Sequence, residues 1–178
     1  MERDAARVVF DEEAIQRRVS ELAGEIGGHY RDGELLVIGL LKGSFIFLAD
    51  LVRRIRRPHK VDFLVAASYG SDTVSSGTVR LLYDPGTKLD GTHILLVEDI
   101  VETGNTLNHV CRLIRTRNPK SLETCTLLHK GIAADLEVEP RFIGFEAPPV
   151  FLVGYGLDHA EDFRHLPYIA TIEDIANG

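Results

Sequence analysis

Glu98-Asp99-Ile100-Val101-Glu102-Thr103-Gly104-Asn105-Thr106 crowds three carboxylates, two hydroxyls, an amide and a glycine into one short stretch. Adjacent carboxylates can hold the hydroxyls of a sugar, and a third can accept a proton. The small residues that follow leave backbone N–H groups open to an anion. A sugar phosphate is the ligand class that this combination points to.

The flanking residues are suited to holding such a site in place. Ile94 to Val97 is a short branched apolar run, the pattern of a strand buried in a parallel sheet. Leu107, Val110, Cys111 and Ile114 follow at helical spacing. A strand, an acidic loop and a helix amino terminus are therefore expected, and such a terminus binds phosphate through its unpaired N–H groups and dipole.

The rest of the chain alternates the same way. Asp11 is placed to cap a helix whose apolar face is Ile15, Val19, Leu22 and Ile26 and which ends at Gly27-Gly28. Leu35 to Gly39 reads as a buried strand. Lys42, Gly43 and Ser44 follow, with Ser44 as the cap of a helix that turns Phe45, Leu48, Leu51, Val52 and Ile55 inward. Arg53, Arg54, Arg56 and Arg57 then sit at the negative end of that helix dipole. Val61 to Ser68 and Val79 to Tyr83 are further strands, and the polar, glycine-flanked segment from Tyr69 to Thr78 between them has the length of a lid. Leu122 to Leu128, Arg141 to Phe145, Phe151 to Val153 and Tyr168 to Ile172 complete the strands. The expected fold is α/β, a single domain over 1–178 with a mainly parallel open sheet.

Composition narrows the partners. The 178 residues are 44% apolar, enough for one good core, and carry a net charge of -7. That charge disfavours broad binding to nucleic acid or an anionic membrane. No apolar run approaches the roughly 18 residues of a membrane span, and the amino terminus lacks a signal-peptide core, so a cytoplasmic location is expected. Cys111 and Cys125 have neither metal-ligand nor redox spacing. The seven histidines form no zinc pattern. Neither a P-loop nor a Rossmann fingerprint is present, since His159 stands where the third glycine after Gly154 and Gly156 belongs.

Two carboxylates at a strand end followed by Thr-Gly-Asn-Thr resemble the phosphoribosyl-diphosphate motif of the type I phosphoribosyltransferases. Val97-Glu98-Asp99-Ile100 is similar, more narrowly, to the hypoxanthine-guanine branch. Four further stretches resemble that family in its own order. They are Leu41-Lys42-Gly43, Ser68-Tyr69, Lys130, and Phe151 to Asp158 with Arg164 beyond it.

The resemblance implies helices on both faces of the sheet and a small hood built from the chain termini and the C-terminal segment. It implies transfer of 5-phosphoribosyl from phosphoribosyl diphosphate to a 6-oxopurine, with Mg²⁺ as cofactor and a homodimer or homotetramer as the assembly. Glu98 and Asp99 would hold the ribose, and Thr103, Gly104, Asn105 and Thr106 the 5-phosphate. Lys42, Gly43 and Arg164 would hold pyrophosphate, with a peptide before Lys42 that can be cis. Lys130, Phe151, Leu152 and Asp158 would surround the purine. Asp158 would bind the metal, with Glu98 and Asp99 as further candidates, and Ser68-Tyr69 would open the closing loop. Glu102 departs from the family, which mostly has aspartate as general base there; glutamate keeps the carboxylate with one extra methylene. Two alternatives stand beside this one: a xanthine- or guanine-preferring enzyme, and an RNA-binding regulator on the same fold.

Overall fold

The computed structural model describes residues 7–68, 79–132 and 136–172. Strand β2 (Leu35–Leu41) has no polar side chain and is buried from Leu35 to Leu40, as a central strand must be. It pairs in parallel with β3 (Lys60–Ser68) on one side and β5 (His93–Val101) on the other. Outward from β5, β6 (Ser121–His129) and β7 (Phe142–Glu146) extend the parallel sheet. Strand β4 (Val79–Tyr83) closes the opposite edge antiparallel to β3, giving the order β4-β3-β2-β5-β6-β7.

Period-two alternation divides the core between two faces. Leu35, Val37, Leu95 and Val97 pack under α1 (Glu12–His29) and α2 (Phe45–Val52) with Ile15, Leu22, Phe47 and Leu51. Leu36, Ile38, Ile94 and Leu96 face α3 (Asn105–Arg115), whose Leu107, Val110, Cys111 and Ile114 are all buried. Helices thus cover both faces.

A second sheet stands apart from the first. Strand β1 (Arg7–Phe10) runs antiparallel to β9 (Ile169–Thr171), which pairs with β8 (Leu152–Val153). The two ends of the chain build this hood together. Phe10 stacks on Phe145 with ring centroids 4.3 Å apart, and the Tyr155 hydroxyl donates to Asp50 of α2 at 2.6 Å. Asp50 also accepts from Gln16 of α1 at 3.1 Å, so one carboxylate fastens two helices and the C-terminal segment.

Several sequence expectations are corrected. Strand β5 does not stop at Val97; Glu98 pairs with Thr126 and Val101 with His129, so the first two acids lie within the strand. Helix α1 runs one residue past Gly28, to His29. Ser44 does not cap α2 with its side chain; its backbone is already helical and its buried hydroxyl donates to the Leu40 carbonyl at 2.6 Å. Phe45 faces solvent and Phe47 takes the inward position. Arg53 and Arg54 do meet the negative end of α2, through the Ala49 and Asp50 carbonyls and the Asp50 carboxylate, whereas Arg57 reaches back to the Tyr30 and Gly33 carbonyls. Asp11 does cap α1, accepting from the Ala14 N–H at 2.7 Å. Among the described residues no helix is long and apolar enough to cross a membrane.

Candidate active site

Parallel strands end together, and in open α/β sheets ligands sit beyond their carboxyl ends. Lys42, Ser68, Glu102 and Lys130 lie at or just past such ends, and Glu98 and Asp99 lie in the last four residues of β5. The lid expected to begin at Ser68-Tyr69 has only its first residue among those described; Ser68 closes β3 opposite Val79.

Residues Glu98 to Leu107 line a cavity of about 280 Å³. The chain reaches it along β5, turns at Gly104 with φ 80°, and enters α3, whose first residues Asn105, Thr106 and Leu107 line the cavity. Glu98 is only 8% exposed. Burial first, and then the adjacent charge of Asp99, push its carboxyl well above the usual carboxylate range. Asp99 accepts its neighbour's N–H, from Ile100, at 2.9 Å.

Gly43 joins this cavity to the next site. The Leu41–Lys42 peptide is cis. A Cβ on Gly43 would stand 1.6 Å from Asp99 Oδ2, and a Cβ on Gly156 would stand 2.2 Å from the Gly43 carbonyl oxygen. Asp99, the loop after β2 and the C-terminal segment therefore touch through two positions without side chains. Gly156 has φ 103° as well, so glycine is required there on both counts.

Lys42 and Arg164 converge on a single carboxylate. The Lys42 ammonium lies 3.2 Å from both oxygens of Glu161, and Arg164 Nη2 lies 3.4 Å from Glu161 Oε2. Arg164 also pairs with Asp158 Oδ1 at 2.8 Å and donates to the Gly156 carbonyl at 2.7 Å. The second Asp158 oxygen accepts the Glu161 N–H at 2.9 Å.

On the other flank the Lys130 ammonium meets Glu102 Oε1 at 2.6 Å, and the Lys130 N–H donates to the Val101 carbonyl at 3.0 Å. Phe151 presents an exposed ring, edge to face with His159 at a centroid distance of 5.4 Å. Leu152 is buried in β8 beside it.

Residues 8–160 match the phosphoribosyl transferase domain. The chain is 44% identical over 171 residues to the hypoxanthine-guanine phosphoribosyltransferase of Dictyostelium discoideum, covering 94% of this chain and 95% of that one. It is 43% identical over 173 residues to the enzyme of the same name from Bacillus subtilis, covering 97% and 96%. The chain belongs to the hypoxanthine-guanine phosphoribosyltransferase family. A crystal structure of a hypoxanthine phosphoribosyltransferase from Staphylococcus aureus superposes with a TM-score of 0.89 at 38% identity, over 94% of this chain and 91% of that one.

Three features of this phosphoribosyltransferase escape motif reading. Glu161 lies in a polar segment with no spacing signal, and a turn with positive φ at Ala160, Glu161 and Phe163 carries it to Lys42. His159 is lone in sequence and gains its place against Phe151 only in three dimensions. Gly156 looks like one more loop glycine until its approach to Gly43 is measured. The Tyr-Gly-Leu-Asp run from Tyr155 to Asp158 was the available signal for that last contact.

Proposed function

We propose that the chain transfers 5-phosphoribosyl from phosphoribosyl diphosphate to hypoxanthine, and to guanine, releasing pyrophosphate and forming IMP or GMP in purine salvage. The observation that carries this is the Lys130–Glu102 pair beside the cavity lined by residues 98–107. It puts a donor and a proton acceptor next to a sugar-phosphate cradle.

Glu98 and Asp99 hold the ribose hydroxyls. The backbone from Glu102 to Thr106, with the Thr103 and Thr106 hydroxyls, wraps the 5-phosphate at the start of α3. Lys130 donates to the purine 6-oxo group and rejects a 6-amino group, which would set donor against donor. Phe151 stacks on the base, with Leu152 beneath and Asp158 near its 2-substituent. Glu102 takes the proton that the purine ring loses as its nitrogen attacks the anomeric carbon. Lys42, the Gly43 backbone and Arg164 stabilise the charge that grows on the departing pyrophosphate. Ser68 and Tyr69 begin a segment that closes over the reaction and keeps water from the cation-like sugar.

Among the described residues no group of three metal-ligating side chains exists, and Asp158 is an oxygen donor beside the leaving-group cations. That donor set fits Mg²⁺, which takes one or two carboxylates and completes its shell with substrate oxygens and water. Asp158 would hold it, with Glu98 and Asp99 as further candidates. When bound it supplies charge neutralisation of the phosphate oxygens.

Residues 1–178 act as one domain in the cytoplasm on small molecules, without nucleic acid or membrane partners. Val61, Phe63 and Tyr83 leave apolar surface uncovered at the β3–β4 edge, which supports a homodimer or homotetramer. Light scattering on the purified protein tests the assembly. The activity is tested by supplying phosphoribosyl diphosphate, Mg²⁺ and, in parallel, hypoxanthine, guanine, xanthine or adenine. Nucleotide from the first two and none from adenine is expected; no product with any purine overturns the assignment.

A further inference from the structure

We propose that Glu161 is the resident counter-anion of the leaving-group site, an internal carboxylate that pyrophosphate must displace and that sets the affinity for diphosphorylated ligands. The proposal rests on reading Lys42 and Arg164 as the pyrophosphate cations. Its ground is geometric. Both oxygens of Glu161 lie 3.2 Å from the Lys42 ammonium, and Oε2 is shared with Arg164 Nη2 at 3.4 Å. A carboxylate offers two oxygens on one edge, as a phosphate does, so the same fork of donors satisfies either.

The charges of these side chains balance one another. Two cations, Lys42 and Arg164, face two acids, Asp158 and Glu161. Asp158 has a use when the ligand arrives, as an oxygen donor to a cation. Glu161 has none there and becomes a like charge beside an incoming polyanion. A glutamate side chain is ionised at neutral pH, so Glu161 meets the two cations as a carboxylate.

The turn is built to deliver that carboxylate. Ala160, Glu161 and Phe163 adopt φ of 51°, 65° and 72°, a region that disfavours side-chain-bearing residues. Reciprocal hydrogen bonds between His159 and Asp162, at 3.3 and 3.0 Å, close the turn, and the Glu161 N–H is tied to Asp158. Both Lys42 and Glu161 side chains are 66% exposed, so the pair can open without disturbing the core.

Glu161→Gln keeps the shape and the backbone demand and removes the charge. Calorimetric titration with pyrophosphate in Mg²⁺ at low salt is expected to give a dissociation constant about fivefold lower than that of the parent protein. Ribose 5-phosphate should bind both proteins equally, and the gain should shrink as salt rises. Product inhibition by pyrophosphate should strengthen by the same factor. Asp32→Asn removes an equal charge near the amino-terminal edge of the sheet, where Asp32 pairs with Lys120, and should leave pyrophosphate affinity unchanged. Unchanged or weaker pyrophosphate binding by Glu161→Gln overturns the proposal alone, as does an equal gain in Asp32→Asn. A parent protein that binds no pyrophosphate and makes no nucleotide overturns the functional reading and this proposal together.

Discussion

The Lys130 ammonium and the Glu102 carboxylate are 2.6 Å apart, one almost buried and the other half exposed. The proposed purine donor and the proposed base are each other's counter-ion. In the proposed reaction a 6-oxopurine parts the two groups, meeting the ammonium with its oxygen and giving its proton to the carboxylate. The longer glutamate is therefore already within reach of the group that marks the purine position. Glu102→Gln keeps the hydrogen-bonding shape and loses the base, so turnover should fall on the order of 100-fold while phosphoribosyl diphosphate binding changes little. Steady-state kinetics beside a direct binding titration separates the two, and equal turnover would remove Glu102 from the role of base.

Lys130→Met should act on discrimination. It deletes the donor that matches the 6-oxo group and leaves Glu102 unpaired. The kcat/KM for hypoxanthine should drop by about two orders of magnitude, and the ratio of hypoxanthine to adenine use should narrow. A ratio equal to that of the parent protein would place 6-oxo recognition elsewhere.

Gly43→Ala puts a methyl 1.6 Å from Asp99 Oδ2, a distance that forces Asp99 or the loop to move. Nucleotide formation should be abolished, with a stability loss of about 1–3 kcal/mol by urea titration. Adding Asp99→Ala should return most of the stability and none of the activity. Additive losses in the double variant would show that the two residues do not collide.

The Asp50 carboxyl makes the stability of the fold depend on pH. Burial pushes its carboxyl upward, but hydrogen bonds from Tyr155, Gln16 and Arg53 outweigh burial and leave it below the ordinary value. A carboxylate lowered on folding stabilises above its unfolded titration range and loses that contribution as pH falls through its folded one. Asp50→Asn should therefore be less stable by about 1–3 kcal/mol at neutral pH. The gap should close in acid, below the pH at which free aspartate protonates. Chemical denaturation of both proteins across that range is the measurement, and a constant gap would rule out the charge.

The two thiols should be silent in the native protein. Burial pushes Cys111 up to about 12 and Cys125 upward also, so neither carries thiolate at neutral pH. A chromogenic disulfide reagent should titrate no thiol in buffer and both in denaturant. Reaction of either in the native state would reveal opening of α3 or β6.

Much of this architecture was written locally. Alternating or continuous apolar runs announced β2, β3, β4 and β6, and the spacing of Leu107, Val110, Cys111 and Ile114 announced the buried face of α3. Hydrophobicity failed at Glu98 because a charge normally ends a buried strand, whereas here parallel pairing with Thr126 and Leu128 carries β5 onward. Strand β1 went unseen because its partner β9 lies at the other end of the chain, and four residues give no periodicity. Ser44 had the right type for a cap and the wrong torsions. The acids that line the cavity at the end of β5 were readable as a group since they follow one another in sequence. Glu161 was not, because its meaning depends on a cation 119 positions away.

Gly43 carries no side chain, yet the Asp99 carboxylate and the backbone of the C-terminal segment both press against it. In the language of inheritance, every amino-acid replacement open to a glycine codon by one base change adds at least a Cβ. The position has no conservative neighbour to drift through. A lineage could exchange the acid at 102 for a longer one and keep a carboxylate there, but at 43 its choice is confined to silent change.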